Sequence, residues 1–150
     1  ERQDEKDNGV LLCVGAATSG LSFYIKNGLL VFDYNLYQDH YRVVSSQSVP
    51  VGSSKVTVKF ERIDRQSKAT LLINDLECGT IDIPGIMSMI SAQGMDVGRD
   101  SGSPITDDYE APFEFTGDIH RIVIDIPKRL TPQQQKELAD AEEKMEMGRQ

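Results

Sequence analysis

The residues best suited to chemistry in this sequence form an acidic loop in its second half. Four aspartates lie within thirteen residues, with serines between them: Asp96, Asp100, Asp107 and Asp108. Hard cations such as Ca²⁺ bind several oxygen ligands, which such a loop can provide. However, the spacing is not that of an EF-hand, and Arg99 is a competing cation. We interpret the stretch as a structural, hydrogen-bonded loop, with a Ca²⁺ site from these four aspartates or a glycosidase-like carboxylate pair as alternatives.

Motifs for nucleophilic catalysis, phosphate binding and zinc binding are missing from the sequence. The histidines, His40 and His120, are isolated, and there is no Gly-x-Ser-x-Gly segment. Cys13 and Cys78 occupy apolar, strand-like contexts, so we predict that both are small buried hydrophobic residues, and a disulfide between them stays open. The net charge of −8 argues against binding to nucleic acid or anionic membranes. We therefore predict no catalytic site and no cofactor in this chain itself.

Aromatic residues in the first third suggest a second kind of site. Phe32 and Tyr34 fall on one face of a predicted strand, and Tyr37 follows closely. Sugar-binding sandwiches often stack such rings on a concave face, so carbohydrate contact by these three residues is one interpretation. Packing in the core is the one we prefer.

The elements that position these residues are mainly β-strands. Asn27-Gly28 and Asn74-Asp75 each separate two apolar runs, which predicts two-residue hairpin turns. Residues 55–61 alternate between apolar and polar, as in an antiparallel strand with one wet face. A polar loop is predicted at 99–112, with strands at 113–115 and 118–126. The fold class is therefore all-β, an antiparallel two-sheet jelly-roll sandwich.

The domain organisation follows from changes in composition along the chain. Residues 1–8 are a polar segment, residues 9–127 form the sandwich, and residues 128–150 are predicted to form one C-terminal α-helix. Thr131 is a good N-cap, Pro132 suits the first helical position, and the following Gln- and Glu-rich stretch contains no helix breaker before Gly148.

Three separated segments resemble the C-terminal region of a group of large bacterial arylsulfatases, in the same order and spacing. They are residues 21–35, 94–104 and 108–119, and the resemblance spans about residues 9–126. It implies a concanavalin- or laminin-G-like jelly roll appended to a sulfatase domain, whose parent enzyme uses a formylglycine nucleophile and Ca²⁺. Neither Cys13 nor Cys78 is followed by the formylglycine signature, so that machinery is not carried over to this chain.

The resemblance implies a non-catalytic accessory domain for docking, oligomerisation or shaping the substrate entrance. Its partner would be a sulfatase catalytic domain or a second copy of itself, in the bacterial cytoplasm or periplasm. We expect the ordered docking loop to contain the following residues: Asp96, Arg99, Asp100, Asp108 and Tyr109.

Two departures from the family pattern bear on this expectation. Leu21 stands where family members often have Trp, which weakens carbohydrate stacking. The family usually has a further strand before Gly9, which the hydrophilic residues 1–8 cannot supply. We therefore expect a fragment of a larger chain with an unpaired sheet edge. The alternatives are a free-standing carbohydrate-binding module of the same fold and a stand-alone hydrolase that uses the acidic loop.

Overall fold

The computed structural model describes residues 1–63, 66–85, 94–126 and 133 of the chain. In this part there are eight strands: β1 (Gly9–Ala16), β2 (Ser19–Lys26), β3 (Leu29–Leu36), β4 (Asp39–Ser48), β5 (Val56–Ile63), β6 (Gln66–Ile73), β7 (Leu76–Ile83) and β8 (Met95–Val97). They form a five-stranded sheet of order β4-β3-β2-β1-β8 and a three-stranded sheet of order β5-β6-β7. All strand pairs are antiparallel. The predicted antiparallel two-sheet sandwich is confirmed.

Local turn chemistry explains the strand connections. Asn27 and Gly28 adopt φ values of 52° and 76°, and Asn74 and Asp75 adopt 49° and 65°. Both predicted hairpin turns are therefore confirmed, with the two positive φ values that a type I′ turn requires. The turn between β3 and β4 also has positive φ values, 52° at Tyr37 and 76° at Gln38, but neither residue type signals such a turn.

The main core lies between the two sheets. Alternate side chains of β2 and β3 point into it, and β6 and β7 supply the other side. Its largest members are fully buried: Leu30, Phe32, Tyr34, Leu71 and Ile83. Cys78 belongs to this cluster, whereas Cys13 belongs to a second one on the opposite face of the five-stranded sheet. Both thiols are buried and free, which confirms their predicted role as small buried residues and leaves no disulfide between them.

Strand β5 has the wet face that its alternating sequence predicts. Val56 and Val58 pack against the core, while Lys59 and Glu61 are exposed and form a surface ion pair of 2.8 Å. Phe60 is only partly covered, although its ring meets that of Phe32 edge-on with 5.3 Å between the centroids. The inner strands β2 and β3 differ, because most of their residues are buried, on both faces of the sheet.

The ends of the chain depart from the prediction. Contacts divide it into residues 1–120 and residues 121–150. Residues 1–8 contain no strand, as expected, but they pack on the rest of their own unit through a bridge between Arg2 and Gly52. The predicted strand at 113–115 is reduced to one bridge between Val10 and Glu114. The strand predicted at 118–126 is wrong, since these residues form no strand. Most of the predicted helix at 128–150 lies outside the described residues.

Candidate functional site

The polar residues with chemical capacity meet where the acidic loop covers the outer face of the five-stranded sheet. Tyr24 and Val31 on this face form a second apolar cluster with Ile105, Tyr109 and others. Polar side chains share the face and are also buried: Ser22, Asp33 and Asn35 from the sheet, and Asp100 and Thr106 from the loop. We call this arrangement, residues 99–112 on the outer face of β1–β4, the capped face.

Asp33 is the centre of the capped face, and its side chain is 0% exposed. Its carboxylate accepts a hydrogen bond from the Thr106 hydroxyl at 2.5 Å and from Nε of Arg42 at 2.9 Å. Nδ1 of His40 lies 3.1 Å from the same carboxylate. A buried carboxylate is tolerated only when it is paired and hydrogen-bonded, and these three partners meet that requirement.

Arg42 joins this centre to the exposed end of the loop. Besides Asp33, its guanidinium donates to the Thr106 hydroxyl at 2.8 Å and to the carboxylate of Asp107. Burial of the guanidinium opposes its charge, but the bonds to Asp107 and Asp33 outweigh that effect and raise the pKa of Arg42 above its usual value. The same contact lowers the pKa of Asp107. Arg42 therefore stays charged and holds the loop against β3.

Asp108 is fixed by the neighbouring strand β2. The Tyr24 hydroxyl donates to its carboxylate at 2.7 Å, and Nζ of Lys26 lies 2.8 Å from the other oxygen. Partial burial works against ionisation, but these two bonds lower the pKa of Asp108 overall. Burial, together with the bond to Asp108, raises the pKa of Tyr24, so the phenol remains a donor at neutral pH.

Asp100 and Tyr109 form the third anchor of the loop. The Tyr109 hydroxyl donates to Asp100 at 2.8 Å and lies 2.8 Å from the Ser22 hydroxyl, and all three side chains are buried. The backbone N–H of Ile105 also donates to Asp100, at 3.2 Å. Burial raises the pKa of Tyr109, so the phenol stays protonated and continues to donate its hydrogen bond to Asp100. The serine hydroxyl is sealed beneath the loop and offers no accessible nucleophile.

Asp96 and Arg99 lie at the start of the loop and remain near the surface. The carboxylate of Asp96 accepts the backbone N–H of Ser101 at 2.8 Å, which lowers the pKa of Asp96. Arg99 lies 3.7 Å from Glu114, and both of these side chains are more than half exposed. Among the five residues predicted for the docking loop, Arg99 is therefore the one whose charge is well placed for an outside partner.

The four aspartates proposed as Ca²⁺ ligands do not converge. Asp96 and Asp100 approach the Cys13 thiol, whereas Asp107 groups with Asp33 and His40. Asp108 pairs instead with Tyr24 and Lys26. Burial, followed by the charges of Asp100 and Asp96, raises the pKa of Cys13 to about 12, which disfavours the thiolate that a metal would need. The cations paired with these carboxylates are Arg42, at Asp107, and Lys26, at Asp108, whereas Arg99 lies 3.7 Å from Glu114.

The aromatic residues considered for carbohydrate contact are also separated. Phe32 and Tyr34 are buried in the core between the sheets, where no sugar can reach them. Tyr37 lies on the turn after β3 and is 68% exposed. The prediction of core packing is therefore confirmed for Phe32 and Tyr34, and Tyr37 alone of the three is exposed.

Sequence reasoning missed the residues that hold the loop down. Asp33, Arg42 and Thr106 are central to the capped face, yet none of them was singled out. The available signal was that Asp33 and Asn35 interrupt the apolar strand Leu29–Leu36 at alternate positions. Polar residues spaced in this way share one face of a strand, so either a wet face or a polar partner was to be expected there.

The comparisons with protein families and with curated proteins found no match. Among the described residues, there is no helix with the length and apolar character needed to cross a bilayer.

Proposed function

We propose that this chain is a non-catalytic accessory β-sandwich of an arylsulfatase-like sulfuric ester hydrolase. The observation that carries the proposal is that the side chains best suited to catalysis serve a structural role instead. Asp33, Asp100 and Tyr109 are buried and engaged in holding one loop on one sheet. This gives the acidic loop a structural role and makes its outer surface a stable platform for docking.

The three segments that resemble arylsulfatases support the proposal, because they are in contact with one another. Residues 21–35 form most of the β2–β3 hairpin, and residues 94–104 and 108–119 provide β8 and most of the loop at 99–112. The Ser22–Tyr109 and Tyr24–Asp108 hydrogen bonds join the first segment to the third. A resemblance confined to residues that stabilise one unit is what a shared accessory fold would produce. Activity would then belong to another part of the parent polypeptide.

The surface beside Arg99 is a suitable place for docking. Strand β8 pairs only with β1 among the described strands, and its apolar side chains Met95 and Val97 are 52% and 50% exposed. An edge strand with exposed apolar residues tends to pair with or pack on another chain. We propose that this edge contacts the sulfatase catalytic domain or a second copy of the chain, within the bacterial cytoplasm or periplasm.

The first experiment identifies the polypeptide that contains this sequence in its native host. Intact-mass and peptide mass spectrometry of untreated lysate is expected to find a species several times heavier than 16.7 kDa. That species should also contain peptides from a formylglycine-type sulfatase domain. A native product of 16.7 kDa, or a larger product without a sulfatase domain, would contradict the proposal.

A second experiment tests the docking edge within that polypeptide. Val97→Lys places a charge on the β8 edge and is expected to loosen the domain, seen as faster limited proteolysis between the domains or as loss of the dimer in light scattering. Leu76→Lys is the matched control, because Leu76 is 66% exposed at the start of β7 in the other sheet. Equal effects of the two substitutions would exclude the β8 edge as the contact.

A further inference from the structure

The N-terminal segment buries an arginine against the sandwich. Arg2 is 4% exposed and exchanges backbone hydrogen bonds of 3.0 and 2.8 Å with Gly52. Its Nη1 donates to the Val49 carbonyl, and its Nη2 donates to the Glu5 carbonyl at 2.5 Å. The guanidinium is thus held in place by neutral acceptors of the main chain.

The Asp7 carboxylate interacts with the charge of this guanidinium from a distance, without a direct ion pair. In the described part of the chain, no carboxylate forms an ion pair with Arg2, and its buried Nε has no hydrogen-bond partner. A guanidinium has five N–H groups, and the two carbonyls account for only part of them. A buried cation without a direct ion pair is costly, so bound anions are favoured at such a position.

A cavity of about 330 Å³ opens beside the guanidinium. Its lining includes Arg2, Gly28 and Val49, together with the polar side chains of Glu5, Asn27 and Ser48. A methyl group built on Gly28 would lie 3.6 Å from Nη2 and 3.8 Å from Nη1 of Arg2. Because Gly28 has no side chain, the space next to the Nη groups of Arg2 stays open at this point of the cavity wall. The volume exceeds that of several water molecules at roughly 30 Å³ each and is sufficient for a small anion.

We propose that this cavity binds a small oxyanion, either a carboxylate or a tetrahedral phosphate or sulfate group, against the Arg2 guanidinium. Nε is sealed from solvent, so the anion is attracted by the Nη groups and by the positive charge of the guanidinium. The Asn27 amide and the Ser48 hydroxyl supply neutral donors in the lining. Glu5 also lines the cavity and repels an anion, so we expect the affinity to be no better than millimolar. The site is independent of the accessory role proposed above.

The test is an NMR titration of the intact, ¹⁵N-labelled chain with sodium phosphate, sulfate and acetate, with chloride keeping the ionic strength constant. We expect saturable shifts of the Gly28 and Val49 amides and of Arg2 Nε–H, with a Kd on the order of 1 mM. The anion with the lowest Kd distinguishes a carboxylate site from a tetrahedral oxyanion site. Shifts that do not saturate, or that chloride reproduces, would overturn the proposal.

Three variants separate the site from general charge effects. Arg2→Gln is expected to abolish saturation, whereas Lys6→Gln, the same charge change at an exposed neighbour, should leave Kd unchanged. Asn27→Asp adds a carboxylate to the lining at a turn position with positive φ that Asp tolerates, and it should weaken binding by about fivefold or more. If Arg2→Gln fails to fold, Asn27→Asp decides the matter, and an unchanged Kd in that variant would refute the site.

Discussion

Replacing Asp33 with alanine is expected to lower the free energy of unfolding by about 3 kcal/mol, because it removes the acceptor at the centre of the capped face. Arg42 would lose one of its two carboxylate partners, and the buried Thr106 hydroxyl would lose its acceptor. Leaving buried donors unsatisfied costs about 1–3 kcal/mol for each group. Urea unfolding monitored by circular dichroism gives the change directly, provided that the m-value is unchanged.

Two further variants define what the Asp33 result means. Asp33→Asn keeps an oxygen acceptor of the same size, so it should recover part of the loss. Lys55→Ala is the control, since its ion pair with Asp75 is 2.9 Å long but lies at the surface, where such pairs contribute about 0–1 kcal/mol. If Asp33→Ala were no more destabilising than Lys55→Ala, the capped face would not be a stabilising structure.

Phe32→Ala is expected to destabilise the protein by about 3–5 kcal/mol. Phe32 lies next to Asp33 on β3, and its side chain points to the opposite face of the sheet. Phe32 is completely buried between the sheets, next to Phe60 and the other core residues. The substitution removes apolar area from the core and leaves a cavity that the rigid sheets can fill only in part. Urea unfolding under the conditions used for Asp33→Ala makes the two losses directly comparable.

The control for Phe32→Ala is Leu76→Ala. Leu76 is also apolar and also lies in a strand, but it is largely exposed, so the loss should stay within about 0.5 kcal/mol. Similar losses in Phe32→Ala and Leu76→Ala would show that Phe32 is not buried between two sheets. A surface position for Phe32 would also restore the carbohydrate-binding interpretation of the aromatic residues.

Structural features that depend on residues close together in the sequence were predictable from it. The turns at Asn27-Gly28 and Asn74-Asp75 follow from residues that tolerate positive φ. The wet face of β5 follows from strict alternation. The burial of Cys13 and Cys78 follows from their apolar contexts. Each of these signals is contained within a few residues, so no knowledge of the tertiary structure was needed.

The capped face could not be predicted in the same way, because it depends on residues far apart in the chain. Asp33 and Thr106 are separated by 73 positions, and nothing near Asp33 indicates which loop will cover it. Asp107 and Asp108 are adjacent in sequence, yet one binds Arg42 of β4 and the other binds Lys26 of β2. Clustering in the sequence therefore suggested a shared cation site, whereas the fold directs the carboxylates to different strands.

The predicted strand at 118–126 failed for a related reason. Alternating isoleucines indicate β propensity, but a strand forms only where a neighbour completes its hydrogen bonds, and propensity alone does not supply that neighbour. The N-terminal segment shows the opposite case. Its hydrophilic sequence gave no sign of packing, yet Arg2 and Asp7 are buried through hydrogen bonds rather than through apolar contact.

The central claim is that the acidic loop is a fixed part of the scaffold, and native-state hydrogen exchange tests it most directly. The amides to follow are those of Asp100 and Ile105, which donate to Pro112 O at 2.8 Å and to the Asp100 carboxylate at 3.2 Å. We predict that both exchange slowly, with protection close to that of the β2 and β3 amides, because the loop opens only when the sheet unfolds. Exchange of these loop amides within seconds, while β3 stays protected, would contradict the claim and make the loop a mobile surface.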